Sequence, residues 1–268
     1  MTTRRTFLVA ALALGGVACG EDDAGPILAP TPPIAFVRYV HIVPDTSNMD
    51  WRPIDAVENS PEALNLQFRA NTPYRAMGAG ARRLRVFPTS TNINITSQIV
   101  IDTTITFTAN SYYTLIHVGL ARAGQAPADR IWVVEDAIPA TIGASQVAVR
   151  VINAGVGLGA VDVERATATA GPFTAHSTNV AYGAAGTYSL VPTGALVMRA
   201  NTAGTTTTLG AAATAPAGVA AGGGLSAAGG STIGGSAITA IVVPRSVAGS
   251  AAANFTAPGI IYLVDKAP

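Results

Sequence analysis

The side chains here that could do chemistry are three histidines, a few carboxylates set among apolar residues, a short arginine run and one cysteine. His41, Asp45 and Asp50 lie close together in "VRYVHIVPDTSNMDW" (37–51), and His117 and His176 stand in separate segments. A structural zinc site wants four ligands, and a catalytic one usually three. Cys19 lies far from all of these, so only a histidine and carboxylate set could form. The expectation is no metal: His41 packs or ends a strand, and Asp45 holds the following turn by an Asx bond. "GVGLGA" (155–160) is glycine-rich but lacks the helix and basic residue of a phosphate cradle. No Gly-x-Ser-x-Gly nucleophile motif occurs. "ARRLR" (81–85) could meet anionic lipid or polysaccharide, but three arginines in one strand read first as a solvated face. Trp51, Trp132, Tyr112 and Tyr113 could stack on sugars, with core packing the default. No catalytic residue and no cofactor is expected.

Asp50 and Asp162 stand between apolar residues in two places that resemble each other. A carboxylate inside a strand is costly unless paired or hydrogen-bonded. The expected partners are Arg38 and Arg150, or neighbouring backbone amides, in a contact that holds the fold. The likeness extends further. Val37 and Arg38 align with Val149 and Arg150, Tyr74 with Tyr188, Gly80 with Gly194, and Arg85 with Arg199. "YTLIHVG" (113–119) parallels "ITAIVVP" (238–244), and "VVEDAIP" (133–139) parallels "YLVDKAP" (262–268). The chain therefore contains two units, 35–142 and 146–268, the second degenerate. It lacks the histidine (Asn153 instead) and the Pro-Asp turn.

The elements that must position these residues read as strands. "TTITFT" (103–108) places Ile105 and Phe107 on one face and threonines on the other, and "RRLRVF" (82–87) alternates in the same way. Gly, Pro, Asn and Asp punctuate at strand spacing, and Gly80 and Gly194 suit tight turns. No long stretch carries a helical stripe. Several short strands per hundred residues predict an all-β chain, two tandem Ig-like antiparallel β-sandwiches. The run 205–235 is rich in Gly, Ala and Thr and is expected to be a flexible loop or a weakly specified edge hairpin.

Cys19 follows a basic start (Arg4, Arg5) and an apolar run too short to span a bilayer, which needs about 20 residues. The segment 1–18 reads as an export signal. The stretch before Cys19 resembles the lipobox of bacterial lipoproteins, with Gly16 where leucine is usual, and Cys19 is the expected lipidation site. "TRRTFL" (3–8) resembles the twin-arginine export motif, so general secretory and twin-arginine export both stand open. Residues 19–34 read as a Pro-rich tether, extended at about 3.1 Å per residue. Gly20 is not the aspartate of inner-membrane retention, which points to the outer membrane. Of the 268 residues, 49% are hydrophobic and 12% charged, with a formal net charge of +1. That supports large cores and argues against disorder. With no basic stripe, nucleic acid is not an expected partner.

The opening of the first unit, with Val37, Arg38, Val40, His41, Pro44, Asp45 and Asp50, followed by Tyr74, Gly80 and Arg85, resembles a bacterial family known as domain of unknown function 4397. The resemblance implies an exported, often lipid-anchored, Ig-like sandwich and brings no established activity. The expected protein is a non-catalytic binding or structural module at the cell envelope, periplasmic or surface-facing. Its partners would be the membrane, through its anchor, and envelope polysaccharide or protein. Sites would lie in end loops such as 44–48 and 205–235. A polysaccharide-active enzyme or its accessory module, and an envelope assembly scaffold, are the alternatives.

Overall fold

A computed structural model describes residues 32–55, 62–250 and 254–268. Cys19, the expected export signal and most of the expected tether lie outside the described residues.

The first sandwich comprises β1 (Ile34–His41), β2 (Met49–Pro53), β3 (Ala63–Leu66), β4 (Arg75–Gly78), β5 (Gly80–Pro88), β6 (Ile101–Phe107), β7 (Tyr112–Val118) and β8 (Arg130–Glu135), with one helical turn, α1 (Ile93–Thr96). The second comprises β9 (Gln146–Asn153), β10 (Val161–Ala166), β11 (Thr174–Val180), β12 (Ser189–Pro192), β13 (Val197–Thr202), β14 (Ala213–Thr214), β15 (Ala237–Val243) and β16 (Gly259–Lys266). The sheets of the first are ordered β4-β1-β7-β8 and β3-β2-β5-β6; those of the second are β12-β9-β15-β16 and β11-β10-β13-β14. Every strand of one sandwich thus has a counterpart at the same place in the other. The pairings are antiparallel except two: β1 runs parallel to β7, and β9 runs parallel to β15.

Alternation explains the cores. On β1, Ala35, Val37 and Tyr39 face the outer sheet, where Met49, Trp51, Leu84, Val86 and Phe107 meet them. Val149, Val151, Ile238 and Val242 do the same against Val161, Val163 and Met198 in the second sandwich. The opposite faces of these strands are buried as well. Val40, Ile42, Ile116 and Val118 pack with Ile152, Ala154, Ile241 and Val243 in a third cluster built from both sandwiches. Strands buried on both faces read as near-continuous apolar runs. That is why "VRYVHIV" and "ITAIVV" hardly alternate while the outer strand "TTITFT" does. Residues from Pro32 onward form one compact unit.

Gly80 opens β5 with φ of +93° and nothing within 4 Å of where a Cβ would stand. Its requirement is conformational, a left-handed backbone at the bend from β4 into β5. Within the glycine-rich run, Val219 and Ala228 exchange two backbone hydrogen bonds, as do Gly222 and Leu225. Gly223 and Gly224, at φ of +59° and +82°, form the turn between them. This is the two-residue hairpin that such glycines favour.

Candidate functional site

Arg38 lies mid-way along β1, on the face turned to the second sandwich. Its guanidinium pairs with Asp265 at the end of β16, and both side chains are almost wholly buried. Its Nε donates to Thr114 Oγ1 at 2.8 Å, and its guanidinium carbon lies 4.4 Å from the centre of the Tyr74 ring. The counterpart repeats this in reverse. Arg150 of β9 pairs with Asp136, just after β8; its Nε donates to Thr239 Oγ1 at 2.7 Å, and Tyr188 lies at 4.8 Å. Thr114 and Tyr74 both donate to Asp136 Oδ2, each at 2.6 Å. Thr239 and Tyr188 donate to Asp265 Oδ2 at 2.7 and 2.9 Å. The six side chains Arg38, Thr114, Asp136, Arg150, Thr239 and Asp265 therefore close a ring of hydrogen bonds that crosses between the sandwiches twice.

The electrostatics follow from burial. Loss of water raises the Asp265 carboxyl, with Arg38 and Arg150 opposing the shift. Burial works to lower the Arg150 guanidinium, but Asp136, Tyr188 and Asp265 outweigh it and raise it overall. Burial also pushes the Tyr74 and Tyr188 hydroxyls far up, so both remain neutral donors. Two cations face two anions, and every carboxylate oxygen accepts a bond. The ring holds the two sheets together, with each of its groups engaged by another.

The expected pairs of Arg38 with Asp50 and of Arg150 with Asp162 are not found. The strand pattern places each arginine in an inner sheet and each aspartate in an outer one, on β2 and β10. Of the partners anticipated, backbone amides are those observed. Asp50 accepts from Asn65 N at 2.8 Å and from the Thr89 hydroxyl, with Arg52 at 3.2 Å. Asp162 accepts from Asn179 N at 2.7 Å and Gly204 N at 2.8 Å, which lower its carboxyl. Each aspartate thus ties an edge strand of the outer sheet, β3 or β11, to a loop that follows a neighbouring strand. Tyr74 and Tyr188 join the shared ring, while Gly80 and Gly194 stand at bends. The residues missed by sequence reasoning are Asp136, Asp265, Thr114 and Thr239. Their signal was present: "VVEDAIP" and "YLVDKAP" share the aspartate, and the paired strands share the threonine.

His41 and His117 are neighbours on β1 and β7, with ring centres 5.2 Å apart. His117 Nε2 lies 2.9 Å from Asp129, and His41 Nε2 lies 3.2 Å from the Ser47 carbonyl. Burial, then the neighbouring His117, drives His41 well below the ordinary histidine value. The edge of Trp51 meets His117 at 6.0 Å. Asp45 does not join them, nor does it hold its own turn. It accepts from Ala121 N and Arg122 N at 2.8 and 3.0 Å, tying the β1–β2 loop to the β7–β8 loop. Among the described residues, no group of three or more histidine, cysteine or acidic side chains is placed to hold a metal. In the second sandwich Asn153 takes the place of His41, bonding Gly159 O, Val180 O and Gly155 N. Trp51 is fully buried and Trp132 packs against the shared cluster. Arg83 and Arg85 are both paired with Asp102, whose carboxyl they draw down to about 2.

Two hollows lie between the sandwiches. One, of ≈ 660 Å³, opens beside Tyr112, Asp136 and Asp265, at the end where the chain enters β1. Its two aspartates are committed to the ring. The other, of ≈ 1230 Å³, lies at the opposite end, among the loops that leave β1, β7, β9 and β15. No curated protein matches the chain. Residues 35–164 match the family model described as a domain of unknown function, DUF4397, so this stretch, nearly all of the first sandwich with β9 and part of β10, is similar to that family.

Proposed function

We propose that the chain is a non-catalytic binding module, held at the bacterial cell envelope through lipidated Cys19 and presenting the loops at the far end of a double sandwich. The observation that carries this reading is the division of the molecule into two ends. Pro32 and Pro33 lead into β1 beside Ala79 and Asn110, while the large groove opens at the other end of the same strands. A chain anchored ahead of Pro32 would hold the groove away from its attachment. Polar groups are spent on the scaffold: the ring locks the sandwiches, and Asp45, Asp50 and Asp162 lock loops. Rigid sandwiches carrying variable end loops are a common way to build binding surfaces. The rival reading, a polysaccharide-active protein, would need Trp51 or Trp132 exposed in a groove beside paired carboxylates; Trp51 is buried, and Trp132 is half-buried against the shared cluster. The second sandwich is read as a diverged copy of the same domain, on the matching strand order and the reciprocal Arg, Thr, Tyr and Asp positions.

The test is fractionation of cells expressing the wild type or Cys19→Ser, followed by protease treatment of intact cells. The wild type is expected in the membrane fraction and the variant in the soluble one, with digestion from outside marking surface display. Two equally soluble proteins would overturn the anchor.

A further inference from the structure

The ring and the clamping aspartates are accounted for by the fold. The groove at the loop end is not. Its walls come from both sandwiches and are mostly aliphatic: Leu120, Val156, Leu158, Leu209 and Val247 face it. The apolar cluster shared by the sandwiches leads up to it, since Val243 and Val118 end the strands from which its loops depart. At ≈ 1230 Å³ it exceeds the about 300–1,000 Å³ of ordinary small-molecule pockets.

Two properties restrict the occupant. First, the wall is mainly apolar, and its side-chain donors besides Arg245 are the hydroxyls of Thr208, Ser246 and Thr256. Pro44, Pro127, Pro244 and Pro258 all line it and have no N–H. Its lining is drawn from loops, with no open strand edge to receive an extended peptide. A bound polypeptide would leave its own backbone groups unpaired there, at a cost. Among the described residues no aromatic ring lines it, so sugars find nothing to stack on. An alkyl chain needs neither.

Second, the lip is cationic without a counter-charge. Arg245 is exposed and has no hydrogen bond or carboxylate partner among the described residues. Among the described residues, the Arg122 guanidinium bonds only the Ala248 carbonyl, at 3.2 Å. Arg69, beneath, bonds the carbonyls of Pro244 and Ala257, and burial lowers it to about 10. The carboxylates at this end are occupied: Asp45 by two backbone amides and Asp129 by His117.

We propose that this groove binds the alkyl chain of a single-chain anionic amphiphile, with its carboxylate or phosphate head against Arg245 and Arg122. The proposal rests on the binding-module reading and names the ligand class of that module.

It is tested by titration calorimetry on the purified Cys19→Ser protein, below the micelle threshold. The probes are alkanoates and alkyl phosphates of eight, ten and twelve carbons, with dodecyl maltoside as the uncharged control. One molecule is expected to bind per chain, with affinity rising by up to about fourfold per methylene and the maltoside weaker than either anion. Comparing carboxylate with phosphate separates a fatty-acid-like source from a phospholipid-like one. Arg245→Glu should weaken the anions tenfold or more and leave the maltoside and the melting temperature unchanged, because the Arg245 side chain is exposed and makes no hydrogen bond or ion pair among the described residues. Val156→Trp, which fills the groove, should abolish all three. Affinity independent of chain length, several molecules per chain, no binding at all, or an unaffected Arg245→Glu would each overturn the proposal. So would tighter binding of an apolar peptide. Fractionation reads the anchor and calorimetry reads the groove, so either can fail without the other.

Discussion

The four charges of the shared ring are worth most when one is missing. A buried ion pair gives little net stability over a well-packed apolar replacement, but removing one partner strands the other at a cost of about 3–5 kcal/mol. Arg38→Met should therefore destabilise strongly by leaving Asp265 unpaired between the sheets, and Asp265→Asn should do so by leaving Arg38. The double variant should recover a large part of the loss. A double-mutant cycle in urea checks this, and additive losses would mean the ring is not the unit described here. His41 gives a pH test. Its folded value lies well below the ordinary 6.5 because burial penalises the charged form. Its contribution to stability is complete above about pH 6.5. As pH falls below that, the unfolded chain takes up a proton that the native state refuses, and stability falls by up to about 1.4 kcal/mol per pH unit. His176 is lowered by burial as well and adds a share. His41→Asn, the residue at the matching place in the second sandwich, should flatten the acid limb of urea midpoints measured from pH 7.5 to 5.5.

At the scale of elements, the glycine-rich run 205–235 looks slack in the sequence and is not uniformly so in the fold. Its hairpin tip is exposed, with Val219 at 67% and Leu225 at 77%, but its return leg is packed against backbone. A Cβ on Gly234 would stand 1.7 Å from the Ala144 carbonyl oxygen, and one on Gly230 would stand 2.2 Å from Gly218 N. Gly222, at the tip, meets nothing within 4 Å. Gly234→Ala should thus lower the melting temperature by several degrees, and Gly222→Ala should leave it within about one, as surface substitutions generally do. Composition could announce a hairpin here but not which glycines touch a neighbour, because that depends on chain distant in sequence. The same limit explains what was legible elsewhere. Period-two alternation in "TTITFT" and the repeat of Val-Arg, Tyr and Gly were local signals, and they led to strands and to two sandwiches. The partner of Arg38 lies 227 residues away, so proximity along the chain suggested Asp50 instead. The parallel pairs β1–β7 and β9–β15 likewise join segments that no hairpin links, and nothing in either segment marks the direction of its neighbour.

At the scale of the whole molecule, the two sandwiches are separable on paper and interdependent in physics. The inner sheet of each has two apolar faces, one for its own core and one for its partner. If the second sandwich unfolded alone, the first would expose Val40, Ile42, Ile116 and Val118 to water. It would also lose the pairs of Arg38 with Asp265 and of Asp136 with Arg150. Those costs fall on any state with one sandwich folded, so such states should stay sparsely populated despite a chain long enough for two ordinary domains. Calorimetry should show one transition, with its van't Hoff enthalpy equal to the calorimetric enthalpy. Cutting the chain at Ile142, past Asp136, should leave the halves associated, since the ring and the apolar cluster contribute the contact. Ile241→Asp, which places an unpaired carboxylate inside that cluster, should separate the transition into two or remove the weaker one altogether. Two resolved transitions in the wild type would mean the shared face is a docking contact between independent domains, and the ring would then govern orientation without governing stability.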